Sequence, residues 1–156
     1  MVALALTASV YDHSAIRQRT ERQNADYAAA LAIVGERFQP GDSIMYARQD
    51  WYFMLPPAVA YYLPPQRRPR EVVAVTPAAT AGWWTAIECV QPARCLGDAP
   101  RLWVVRLTDD GTDPLAGVEE PMATVLRQRY VVTNIWQSQA ITVVLLDRGD
   151  RRQLHR

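Results

Sequence analysis

Tyr27, Leu31, Val34 and Phe38 recur at helical spacing and define one apolar face over residues 26–38. Asn24 reads as the N-cap, with Asp26 in the first turn where the helix dipole favours a carboxylate. Pro40-Gly41 stops that helix, and Ser43–Ala47 follows as a short strand, apolar enough for a sheet covered on both faces. Pro56-Pro57 suits the first turn of a second helix, which carries Val59, Ala60, Tyr62 and Leu63 and ends at Pro64-Pro65. The segment 64–71, PPQRRPRE, reads as an exposed basic loop. Val72–Val75 is predicted as a second strand, Ala79–Val90 as a helix, and Leu102–Leu107 as a third strand. Leu115–Gln128 is helical in its second half. Arg129–Trp136 and Ala140–Leu146 are β-rich runs, and the short Gln137-Ser138-Gln139 break between them predicts a hairpin.

Strands alternating with helices, closed by a hairpin, predict an α/β fold: a three-layer sandwich with a mainly parallel central sheet and an antiparallel C-terminal hairpin at its edge. Residues 43–47, 72–75 and 102–107 are expected in one parallel sheet. The predicted organisation is a lead-in over 1–16, a single domain over 17–148 and a polar tail over 149–156. Val2–Val10 reads either as a first strand or as the end of a membrane helix. It is too short to cross a bilayer itself and has no basic segment before it.

Composition narrows the chemistry. At 156 residues, one domain can bury a sizeable core. A net charge of +1 gives no electrostatic case for nucleic acid. Lysine is absent, so no Walker-type phosphate loop is present, and no G-x-G-x-x-G follows a strand. Nucleotide binding is therefore not expected, and no cofactor is implied. His13 and His155 lie in polar terminal segments, poor places for an ordered triad, and no G-x-S-x-G occurs. Asp109, Asp110 and Asp113 sit among Gly, Thr and Pro and read first as a solvated turn, with a weak cation site as the rival reading. No metal site is predicted. Cys89 and Cys95 lack zinc-ligand spacing and a nearby histidine; they are either two unrelated core thiols or a local disulfide.

The most site-like cluster is Tyr46, Arg48, Asp50 and Trp51, with Tyr52 beside it. In open α/β sheets ligands bind beyond the carboxyl ends of strands, and this cluster follows the first strand. Aromatic faces with an Arg and an Asp suit stacking on and hydrogen bonding to a sugar. The structural reading is that Trp51 and Tyr52 cover the sheet edge while Arg48 and Asp50 pair. For Trp83-Trp84, adjacent helical positions face differently, so one is expected in the core and the other at a rim.

Asp26-Tyr27 opening an Ala-rich helix, then Phe38-Gln39-Pro40-Gly41-Asp42, a strand, and Tyr61-Tyr62-Leu63-Pro64 resemble the C-terminal region of GT-C membrane glycosyltransferases, the dolichyl-phosphate-mannose protein mannosyltransferase-like family. Arg101-Leu102-Trp103-Val104-Val105 and the closing run to Leu145-Leu146-Asp147-Arg148 extend the resemblance across residues 17–148. It implies a parent enzyme that uses a polyprenyl-phosphate sugar donor, with its catalytic acids in a part this chain lacks. It also implies an extracytoplasmic position, with the membrane-embedded part of the parent, and a glycan acceptor, as partners. No catalytic residue carries over. The compartment favours the Cys89–Cys95 bridge. The alternative is a free-standing α/β small-molecule-binding protein or enzyme.

Overall fold

The computed structural model describes residues 25–48, 52–83, 85–107 and 113–149. Helix α1 (Tyr27–Arg37) leads into strand β1 (Ser43–Tyr46). A single turn (Tyr52–Met54) then precedes α2 (Leu55–Tyr62), and β2 (Arg70–Glu71) follows. A small lobe comes next: β3 (Ala74–Thr76), α3 (Ala78–Ala81) and β4 (Ile87–Glu88), with α4 (Pro92–Leu96) at its exit. The chain then forms β5 (Arg101–Arg106), α5 (Glu120–Arg129), β6 (Tyr130–Ser138) and β7 (Ile141–Arg148). The central sheet has the order β2-β1-β5-β7-β6, and β3 and β4 form a separate two-stranded sheet. β2 and β5 run parallel to β1; β7 runs antiparallel to β5 and pairs with β6 as the predicted hairpin.

Strand alternation builds the two cores. Ile44, Trp103, Val105, Val143 and Leu145 face α1 and α2, where they meet Leu31, Val34, Leu55 and Val59. Met45, Leu102, Val104, Val144 and Leu146 face the other way, onto Leu96 of α4 and Met122, Ala123 and Leu126 of α5. Both faces of β5 and β7 are therefore buried, which is why these strands read as continuous apolar runs. The fold is α/β with helices on both sheet faces, as the strand–helix alternation predicts.

Several boundaries differ. The cap of α1 is Asp26, whose Oδ1 accepts the Ala29 N–H at 2.9 Å. The second strand of the main sheet lies at Arg70–Glu71, inside the predicted basic loop. Arg70 N donates to Asp42 O and Val72 N to Ile44 O, and pairing with β1 ends there. Residues 74–76, predicted in the parallel sheet, instead pair antiparallel with β4 in the lobe. The predicted helix over 79–90 is only one turn long. Gly82 closes it with φ of 66°, a left-handed conformation that suits glycine, and Ile87–Glu88 then runs as β4. Of the Trp83-Trp84 pair, Trp83 is exposed, as the rim member would be, and Trp84 lies outside the described residues.

The amino end of the sheet is locked by polar groups. Asp42 is buried ahead of β1, and its Oδ2 accepts the Gln39 N–H at 3.0 Å and the Trp103 Nε1–H at 2.8 Å. The Arg101 Nε lies 3.5 Å from Asp42 Oδ1, and Trp103 stacks on Trp136 with ring centroids 5.7 Å apart. Gly41, at φ 96°, makes the turn that brings Asp42 into place.

Candidate functional site

At β1 the connections of the sheet reverse direction. The crossover through α2 leads to β2 on one side, and the later crossover through α4 leads to β5 on the other. Such a switch point leaves a crevice beyond the strands' carboxyl ends. There a cleft of ≈ 230 Å³ opens between the end of β1, the β4–α4 segment and the start of α5. Tyr46, Arg48, Glu88, Cys89, Glu119 and Met122 are among its walls. An adjoining cavity of ≈ 90 Å³ shares Tyr46 and Glu88 and is bounded by Phe53, Pro56 and Glu71.

Arg48 is the centre of the larger cleft. Its backbone N–H donates to Gly117 O at 2.8 Å, fixing the turn after β1 against the loop that precedes α5. The guanidinium spans two carboxylates: Nη2 lies 2.8 Å from Glu88 Oε2, and Nη1 donates to Glu119 Oε1 at 2.7 Å. Partial burial pulls its pKa down, but hydrogen bonds and charge from Glu88 and Glu119 more than offset this, leaving it above the ordinary value. One arginine thus ties together three chain segments distant in sequence.

Tyr46 lines both cavities and packs against the core beneath α1 and α2. Burial raises its phenol well above the ordinary value, and the Glu71 carboxylate adds to the rise while Arg68 opposes it. The hydroxyl is therefore a proton-bearing donor at any physiological pH. Burial also raises the Glu71 pKa, with the nearby Glu88 charge as the second cause. The arrangement offers an aromatic face, a hydroxyl donor, a fixed guanidinium and carboxylate acceptors around a small crevice. That set suits a polyhydroxylated ligand, whose hydroxyls both donate and accept.

Of the residues predicted for a site, Tyr46 and Arg48 do meet at the cleft; Asp50 and Trp51 lie outside the described residues. Arg48 takes its described partners from β4 and from the residue before α5. Cys89 and Cys95 are bridged, with Cα atoms 6.1 Å apart, and the disulfide joins the end of β4, at the cleft wall, to α4. Asp113 holds a turn by accepting the Leu115 N–H at 2.9 Å, while Asp109 and Asp110 lie outside the described residues. No group of three or more His, Cys, Asp or Glu side chains poised for a metal ion occurs among the described residues. No described helix is long and apolar enough to cross a membrane.

Glu71, Glu88 and Glu119 escape sequence reasoning. One signal points to Glu88: it is the only carboxylate in the apolar run 72–97, where an ionisable group needs a partner. Glu71 and Glu119 carry no such mark. No family model matches the chain, and neither a curated protein nor a solved structure matches it.

Proposed function

We propose that this chain is a non-catalytic, extracytoplasmic domain of a polyprenyl-phosphate-sugar-dependent membrane glycosyltransferase, which assists acceptor binding or assembly. The observation that carries this reading is the Cys89–Cys95 disulfide beside the carboxyl-end cleft. A disulfide persists in an oxidising compartment, and this one stands next to the groups best suited to glycan hydroxyls. The sequence resemblance supplies the enzyme class, and the acceptor glycan is the ligand that the cleft's donors and acceptors fit.

The test has two parts. Protein made in an oxidising compartment is expected to show no alkylatable thiol by mass analysis; two free thiols would remove the support for the compartment. NMR titration with acceptor glycan fragments is expected to give weak binding, on the order of millimolar (about 4 kcal/mol). Shifts should map to Tyr46, Arg48 and Glu88 and be lost in Arg48→Ala. Shifts elsewhere, or turnover of a lipid-linked sugar by this chain alone, would overturn the reading.

The second reading, a free-standing small-molecule-binding protein or enzyme, draws on one observation. Glu71 and Glu88 line one cavity, and burial holds Glu71 more protonated than usual, as a general acid requires. Upstream coding sequence with several apolar spans of about 20 residues would favour the membrane-enzyme reading over this one.

A further inference from the structure

The lobe between β2 and β5 has a strongly apolar outer surface. Residues 72–97 contain two charged side chains, Glu88 and Arg94, although 21% of the chain is charged. Glu88 is already engaged by Arg48. The apolar residues left outside are large: Val90 is 91% exposed, Trp83 70%, Val75 66% and Ile87 57%. Single exposed apolar residues are ordinary, but Val75, Ile87 and Val90 line one shallow depression of ≈ 300 Å³. The fold makes this face by necessity. A two-stranded sheet has only one side packed on the body, so Val75 and Ile87 are turned outward.

Arg94 borders the same depression. Its guanidinium donates to the neutral Gln91 Oε1 at 3.2 Å, and no carboxylate lies within ion-pair distance among the described residues. The patch is therefore apolar with one uncompensated positive charge. A second copy of the chain is a poor occupant, because the carboxylate that lines this face among the described residues, Glu88, is already held by Arg48. An occupant that is apolar in bulk and negative at its rim complements both features. A bilayer with anionic headgroups is such a surface, apolar within and negative at its phosphates, where an arginine beside apolar side chains is well placed.

We infer that the outer face of the β3–β4 lobe docks on an anionic lipid surface, with Val75, Ile87 and Val90 entering the interface and Arg94 meeting lipid phosphate. This goes beyond the proposed function and needs neither the sugar nor the parent enzyme, so its failure leaves the thiol and glycan tests untouched.

Co-sedimentation of the whole chain with vesicles tests it. Vesicles of phosphatidylcholine mixed with phosphatidylglycerol should bind the chain, those of phosphatidylcholine alone more weakly, and added salt should narrow the gap. Ile87→Glu replaces one apolar anchor of the interface with a charge and should weaken partitioning about tenfold or more. Arg94→Gln should weaken binding about fivefold on anionic vesicles only. Both side chains are exposed, so far-ultraviolet circular dichroism should show an intact fold. Absence of vesicle binding overturns the inference. So does binding that Ile87→Glu leaves unchanged, which would assign it to another part of the chain. A concentration-dependent dimer that Ile87→Glu dissolves, without vesicle binding, would instead assign the face to self-association.

Discussion

The two ends of the central sheet use the same kinds of residue to opposite purpose. At the amino end, Asp42, Arg101 and Trp103 form a network that is largely buried. The carboxylate accepts from a turn amide and an indole, Arg101 Nη2 donates to Arg37 O at 3.1 Å, and Arg37 and Arg101 lie 5.2 and 5.7 Å from the Trp136 and Trp103 rings. At the carboxyl end, Arg48, Glu88 and Glu119 pair in a half-exposed crevice, with Glu71 held beside another acid. Burial decides the difference. An ion pair shut from water contributes only while both partners are present, and removing one is severe; an exposed pair contributes little and can exchange partners. The amino end is therefore a lock, and the carboxyl end is a surface whose polar groups remain available to a ligand. The segments Phe38–Asp42 and Arg101–Val105 converge on the lock.

The comparison breaks first at Asp42. Asp42→Ala leaves the Trp103 indole N–H and the Arg101 guanidinium without their buried acceptor, and should destabilise the domain by about 3–5 kcal/mol in urea unfolding. Trp103→Phe keeps much of the packing but leaves Asp42 Oδ2 with the Gln39 N–H alone of its two donors, and should cost about 1–3 kcal/mol. A loss under about 1 kcal/mol for Asp42→Ala would mean that the amino end is no lock.

Arg48→Gln sharpens the comparison from the other side. Its partners are solvent-accessible, so unfolding stability should drop by about 1 kcal/mol or less, while the mapped glycan response should fall with it. A stability loss as large as that of Asp42→Ala would make Arg48 a structural residue and remove the distinction between the two ends.

The main strands were largely legible in sequence; the lock's contacts, the lobe and the cleft's carboxylates were not. β1, β5 and the hairpin are long or strongly apolar, and their alternation is reinforced on both faces. The lobe misled because Ala-rich residues 78–81 do start a helix, but none of them is buried and Gly82 ends it after one turn. β2 hid inside an arginine–proline loop, since an edge strand of two residues needs backbone partners and no apolar pattern. Tyr46 and Arg48 were found because position after β1 is a topological argument. Glu88 and Glu119 reach Arg48 from 40 and 71 residues away, and only tertiary folding brings them there.

The smallest effect belongs to Glu71, and its sign is fixed. Burial, and then the Glu88 charge, raise its folded pKa above that of the unfolded chain. Between those two values the folded state binds more protons than the unfolded state, so stability falls as pH rises through that window. Below the unfolded pKa the carboxyl is neutral in both states and the penalty is absent; above the folded value it is complete. Glu71→Gln, neutral at every pH, should therefore stabilise the domain at neutral pH, and this gain should disappear on acidification below the ordinary carboxylate range. Because Glu88 supplies only the second cause, the gain should shrink but persist in a Glu88→Gln background. Urea unfolding of the four proteins of this cycle across acid to neutral pH reads both differences. A gain that does not vary with pH would show that Glu71 is not strained by its surroundings, and the carboxyl end would then be as well satisfied as the lock.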